Sequence, residues 1–221
     1  MQRDVITVDG LGASGKSALA KALARQLGFG HLNSGLLYRA VGYLARREGK
    51  DLTNSEQVVA VLDRHSLTLQ RGHDGDTVVM IDSQQVGPQL QAPEISEAAS
   101  TVARHQAVRD RLLPIQRDAF LPIGVVAEGR DMGTVVFPEA RVKFFVTAPA
   151  ALRAERRFKQ LQGTPQQDTL ENITRALTER DHRDSTSAVG TTRQAQGAVL
   201  VDNSEASLED TVQKMLAVIR G

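Results

Sequence analysis

Residues Gly10–Ser17 read GLGASGKS, directly after the β-branched run Val5–Val8 (VITV) and ahead of a segment that carries Leu19, Ala20, Leu23, Ala24 and Leu27 at helical spacing. The octapeptide meets G-x-x-x-x-G-K-[ST] at every fixed position. Strand, glycine-rich turn and helix in that order are the opening of an α/β unit. Each fixed residue has a chemical reason. Gly10, Gly12 and Gly15 let the backbone curl so that its N–H groups converge on phosphate oxygens, and the following helix adds its positive N-terminal end. Lys16 reaches the β- and γ-phosphates, and Ser17 offers a hydroxyl to Mg²⁺. An ordinary glycine-rich turn would not be framed by a buried strand and an amphipathic helix. The stretch Gly10, Leu11, Gly12, Ala13, Ser14, Gly15, Lys16, Ser17 and Ala18 is therefore read as an ATP-binding loop.

Outward from this loop the chain keeps alternating. A helix is expected over 35–47, and a further helix after Thr53 and Glu56, which have capping-box spacing. SLTLQ (66–70) and TVVMID (77–82), joined by GHDGD, predict a hairpin unlike the rest of the chain. Helices are expected over 94–102 and 105–120, the second kinked or divided by Pro114. GVVAE (124–128), VKFFV (142–146) and AVLVD (198–202) read as parallel core strands, and 150–162 and 170–183 as helices. The segment 184–196 is polar with a weak helical pattern, and Ser207 opens a last helix with Asp210 three residues on. The expected fold is α/β, a doubly wound parallel sheet, with a small antiparallel insertion over about 63–90.

Composition narrows the function. The 221 residues include 27 Lys+Arg and 26 Asp+Glu, a net charge of +1, and no cysteine. Disulfides, thiolate metal sites and a cysteine nucleophile are excluded. The balance argues against a nucleic-acid polymer or a polybasic membrane surface as partner. No apolar run approaches a signal peptide or a membrane span, so a cytoplasmic protein is expected. No internal repeat is visible, and no segment reads as an unpaired apolar surface, so a monomer is expected.

A phosphate loop alone does not separate a switch GTPase, a motor ATPase and a small-molecule kinase. No N-K-x-D run is present to read guanine. Arginines outside the core strands favour a kinase with an acceptor site. HLNSGLLYRA puts Ser34, read as an N-cap, one turn before Tyr38 and Arg39. VVAEGRDMGTVVFP (125–138) places Glu128, Arg130 and Asp131 at a strand end on the edge of the sheet where ligands bind; Arg130 and Asp131 alone could equally be a structural ion pair. Gly129 and Gly133 are expected to let the chain turn tightly there. The five histidines show no motif.

SGLLYR (34–39), EAASTVARHQAVR (97–109), GRDMGTVVFP (129–138) and TERDHRD (178–184), with the phosphate loop and the insertion, resemble the bacterial cytidylate kinase family over nearly the whole chain. The resemblance implies a P-loop kinase that uses ATP and Mg²⁺ to phosphorylate CMP and dCMP. It implies a core (1–33, 121–152, 197–221), an acceptor-binding region enlarged by the small sheet (34–120), and a helical lid (153–196). Residue by residue, Ser34, Tyr38, Arg39, Ser100, Arg109, Arg130, Asp131, Arg180 and Asp184 become acceptor contacts. Arg39 and Arg130 are phosphate contacts and Ser100 and Arg109 base readers. Asp131 either orients Arg130 or accepts from the cytosine amino group. Lys16, Arg130, Asp131 and Arg180 become the catalytic set, Arg156 and Arg157 lid contacts to ATP, and Ser17 and Glu128 the metal side. The chain departs from the family where Glu128 replaces an aspartate, where DGLG replaces DGPSG, and where Ser187 replaces an arginine ahead of AVGTTRQ. Arg193 is the expected substitute for that arginine. Another acceptor on the same fold, or a non-catalytic nucleotide switch, are the competing readings.

Overall fold

The computed structural model describes residues 4–72, 75–164, 166–186 and 189–221. Its centre is a parallel sheet of β1 (Val5–Gly10), β2 (Gly30–Asn33), β6 (Val125–Gly129), β7 (Val142–Thr147) and β8 (Val199–Asp202), in the order β2-β6-β1-β7-β8. β1 pairs in parallel with β6 on one side and with β7 on the other. Alternate side chains of β1 serve the two faces. Ile6 and Val8 join Phe144 and Val146 in one core with Leu19 and Leu23 of α1 (Lys16–Leu27) and Met215 and Leu216 of α8 (Leu208–Arg220). The opposite face packs Leu32, Val125 and Ala127 against Met132, Val136 and Phe137. Helices or turns thus cover both faces, as the doubly wound expectation requires.

β2 was not expected. GHLN has four residues, two of them polar, and no β-branched run, so it carries no strand pattern. It forms because β6 offers it a parallel edge, with Asn33 opposite Glu128. The insertion is likewise larger than a hairpin. β3 (Leu67–Arg71), β4 (Thr77–Ile81) and β5 (Gln84–Val86) make a three-stranded antiparallel sheet, and QQV is too short and polar to announce itself. Two residues of the expected GHDGD turn, His73 and Asp74, lie outside the described residues. This sheet packs on α2 (Ser34–Arg47), α3 (Ser55–Leu62), α4 (Pro93–Val102) and α5 (Gln106–Asp118), around Leu37, Val41, Leu44, Val61, Val79 and Leu112.

Three local expectations are corrected. Asn54, not Thr53, caps α3, accepting from Gln57 N at 3.1 Å, while Thr53 bonds back to Asp51. α5 continues through Pro114 undivided, its inner face held by Val108 and Leu112. Ser34 is the first residue of α2 rather than its cap, and its hydroxyl donates to Glu128 O at 2.8 Å. After α6 (Ala150–Leu161), α7 (Leu170–Thr186) runs past its expected end at Arg183. Ser207 caps α8 as read, accepting from Asp210 N.

Candidate nucleotide site

The ends of β1, β6 and β2 open on one cavity of about 470 Å³. Its wall takes Gly12, Ala13, Gly15, Lys16 and Ser17 from the phosphate loop; Gly10, Leu11, Ser14, Ala18 and Arg156 sit outside it. The loop owes its curl to a different set of residues from the one expected. Gly10 has φ +153° and a Cβ there would lie 2.2 Å from Val146 O; Gly15 has φ +91° and a Cβ would lie 2.2 Å from Asn203 Nδ2. Gly12 has neither constraint, and Ala13 takes the left-handed φ of 58° instead. Arg153 and Arg156 lock the loop from outside. Arg153 donates to Gly12 O and pairs with Asp181 at 2.7 Å, and Arg156 donates to Asn203 O at 2.6 Å.

Lys16 donates to Leu11 O at 3.1 Å. Burial, reinforced by the charges of Arg130 and Arg180, pushes its ammonium down to about 7. Burial and Arg130 likewise push Arg180 down to about 10, and burial with Arg157 lowers Arg39. These cations line one cavity and repel one another, which is the electrostatic signature of a site made for a polyanion. A measurable consequence follows. An anion beside Lys16 favours the ammonium, so ATP binding near pH 8 should take up close to one proton. Calorimetry in buffers of different ionisation enthalpy reads this directly. In the empty protein the unfolded chain binds the extra proton, so this group's contribution to stability grows as pH rises from about 7 toward 10.

Arg130 and Asp131 of the GRDMG knot do not pair with each other. Arg130 pairs with Asp184 at 2.9 Å and donates to Gly10 O at 2.8 Å. Asp131 pairs with Arg109, whose guanidinium stands 5.4 Å from the Tyr38 ring centre. Asp131 therefore orients Arg109, not Arg130. Beyond it, Met132–Val136 form a single π turn. Asp9, the residue ahead of the phosphate loop, accepts from Met132 N and Gly133 N, both at 2.8 Å. Gly129 and Gly133 serve packing rather than turning. A Cβ on Gly129 would stand 2.6 Å from Ser34 Oγ, and one on Gly133 2.8 Å from Thr7 Oγ1.

Of the other expected residues, Ser34, Tyr38, Arg39, Ser100, Arg109, Arg157, Arg180 and Asp184 all line the cavity, as does Arg104, which was not anticipated. Arg39 spans to Leu90 O at 2.6 Å and Ser96 Oγ at 2.9 Å. Ser187 lies outside the described residues. Arg193 does not reach this cavity; it lines a neighbouring one of about 290 Å³ with Gln116, Val136 and Thr191. Arg193→Ala is accordingly expected to leave the acceptor KM and kcat within about twofold in steady-state assays.

On the metal side, Ser17 Oγ donates to Glu128 Oε2 at 2.6 Å, and Glu128 is only 2% exposed. Among the described residues no group of three or more His, Cys, Asp or Glu is placed to hold a metal ion. One hydroxyl and one carboxylate suit Mg²⁺, which keeps several waters and takes its remaining ligands from nucleotide phosphates.

The family model described as cytidylate kinase matches residues 6–221. The chain belongs to the cytidylate kinase family. The chain is 40% identical over 97% of its length to a cytidylate kinase from Pseudomonas fluorescens (strain SBW25), covering 94% of that relative. It is 36% identical over 97% of its length to one from Enterococcus faecalis (strain ATCC 700802 / V583), covering 95% of it. A crystal structure of an uncharacterized protein from Eubacterium ventriosum ATCC 27560 aligns with TM-score 0.52 at 8% identity over 99% of both chains, a likeness of fold alone. In this member of the cytidylate kinase family, sequence reasoning missed Asp9 and His31. An acidic residue at the end of a buried strand was the available signal for Asp9. His31 carried none, since its partners are far away in the chain.

Proposed function

We propose that the chain transfers the γ-phosphoryl group of ATP to CMP or dCMP, giving ADP and CDP or dCDP. The observation that carries the reading is one cavity lined by Lys16, the Arg109–Asp131 pair and Ser100. Its cations suit phosphates, and the pair with Ser100 brings donors and acceptors together, which cytosine requires. Arg130 and Arg39 are assigned to the acceptor phosphate, with Arg180 on the transferring group and Asp184 on the sugar. Arg157 and, through the loop backbone, Arg156 serve ATP.

The acceptor phosphate is already ionised at neutral pH, so no general base is assigned. The protein's part is to align the two phosphates and to surround the transferring charge with Lys16, Arg130 and Arg180. Ser17 and Glu128 would hold Mg²⁺, which supplies charge neutralisation at the β- and γ-phosphate oxygens. Residues 153–196 are read as the lid that excludes water on a core of 1–33, 121–152 and 197–221, with 34–120 as the acceptor region. No helix among the described residues is long and apolar enough to cross a membrane; we read the chain as a cytoplasmic monomer, which sedimentation tests.

A coupled ADP-release assay with each nucleoside monophosphate tests the reading. Release with CMP and dCMP but not AMP or GMP supports it. Release with a different acceptor supports another kinase on this fold, and tight ATP binding with no release supports a switch.

A further inference from the structure

The side chain of Glu128 is held at both of its carboxylate oxygens. One oxygen, Oε2, accepts from Ser17. The other, Oε1, lies 3.1 Å from Nε2 of His31, a ring that is 6% exposed. A carboxylate only accepts, so in this contact Nε2–H of His31 donates to Oε1. The far nitrogen of the ring, Nδ1, faces Asp76 Oδ1 at 3.5 Å, and Asp76 is paired in turn with Lys21 of α1.

Asp76 comes from the antiparallel insertion, and the same turn grips β2 through its backbone. His31 N donates to Gly75 O at 3.2 Å, Thr77 Oγ1 donates to His31 O at 2.5 Å, and Asn33 N donates to Thr77 Oγ1 at 2.8 Å. The histidine is thus fixed at its backbone and at Nε2, while Nδ1 and Asp76 Oδ1 face each other without a hydrogen bond. We propose that His31, held by Gly75 and Thr77 of the insertion, is a positioning residue that sets the rotamer of Glu128 so that Oε2 is presented with Ser17 to the metal of the nucleotide complex. An aspartate at 128 would end about 1.5 Å short of this ring. The histidine and the longer acid are therefore one device, and the insertion sheet takes part in the phosphate end of the site as well as in the acceptor region. The inference rests on the proposed nucleotide function for its metal.

The test is a double-mutant cycle read on Mn²⁺ affinity of the enzyme–ADP complex, from the EPR signal of free Mn²⁺, alongside kcat and CMP KM. His31→Leu should weaken Mn²⁺ binding and lower kcat by about 10- to 100-fold, the scale on which outer-shell partners act, with CMP KM within about twofold. His31→Gln, whose amide still donates, should recover most of the loss. In a Glu128→Asp background His31→Leu should add nothing. Equal losses in both backgrounds, or unchanged Mn²⁺ affinity in His31→Leu, overturn the inference. Should His31→Leu not fold, Thr77→Val, which removes the hydroxyl that holds the His31 carbonyl, carries the test: a smaller loss of Mn²⁺ affinity supports the positioning, and an unchanged affinity overturns it. Mn²⁺ binding needs no turnover, so a wild-type protein inactive on CMP refutes the proposed reaction without deciding this point.

Discussion

Lys16→Met should lower kcat for CMP phosphorylation by about 10²- to 10³-fold, the scale of removing one donor aimed at developing charge. The variant should remain folded. In the empty protein burial beside Arg130 and Arg180 pushes the Lys16 ammonium down to about 7. Its removal relieves repulsion below that pH and little above it, so the Tm without ligand should rise at pH 6 and hold at pH 8 while the stabilisation given by ATP shrinks. Proton uptake on ATP binding at pH 8 should disappear in the same variant, tying the kinetic loss to this group. A kcat within about tenfold of wild type, with proton uptake retained, would remove Lys16 from the catalytic set.

Asp131→Ala should be the most destabilising change in the site. It strips Arg109, 9% exposed, of its carboxylate partner. Breaking a buried pair on one side costs about 3–5 kcal/mol, which for a chain of this size lowers Tm by roughly 6–20 °C. The Tyr38 ring face and the Ala103 carbonyl, which accepts from Arg109 at 3.1 Å, remain as neighbours but carry no full charge. Catalytically, kcat/KM for CMP should fall by about 10- to 100-fold, the value of a charge-assisted hydrogen bond, and less for UMP, whose O4 has no hydrogen to give that carboxylate, so that base preference narrows. Thermal denaturation with the CMP/UMP ratio measures both. A variant of wild-type Tm with unchanged CMP preference would show that Asp131 neither anchors Arg109 nor reads the base.

These two residues also mark what the chain discloses before it is folded. The phosphate loop is legible because its chemistry is local: eight consecutive residues set the turn, the lysine and the hydroxyl. The alternation of strands and helices is legible because β1, β6 and β7 each carry a run of β-branched or aromatic residues. β2 and β5 are not, because they are three or four residues long and form only when a neighbour supplies an edge. Pairing is the other blind spot. Arg130 and Asp131 are adjacent in sequence, yet successive residues at a strand end point apart, one to Asp184 and the other to Arg109. The expected role of Gly129 and Gly133 failed for a similar reason. The demand on them comes from Ser34 and Thr7, far away in the chain, rather than from the local turn.

The position of β1 in the sheet has a consequence for the newly made chain. Val5 pairs with Val125 and Ile6 with Val142, so the strand that ends in the phosphate loop has no sheet partner until more than half the polypeptide exists. At 5–20 residues per second, synthesis leaves that strand waiting roughly 6–24 s for its first neighbour. During that time Ile6 and Val8 are apolar edge residues on a ribosome-bound chain, while 34–120 can already collapse around its own cluster. Assembly of the sheet is therefore gated by loop closure over more than a hundred residues, and β1 stays open to wrong partners until β6 is made.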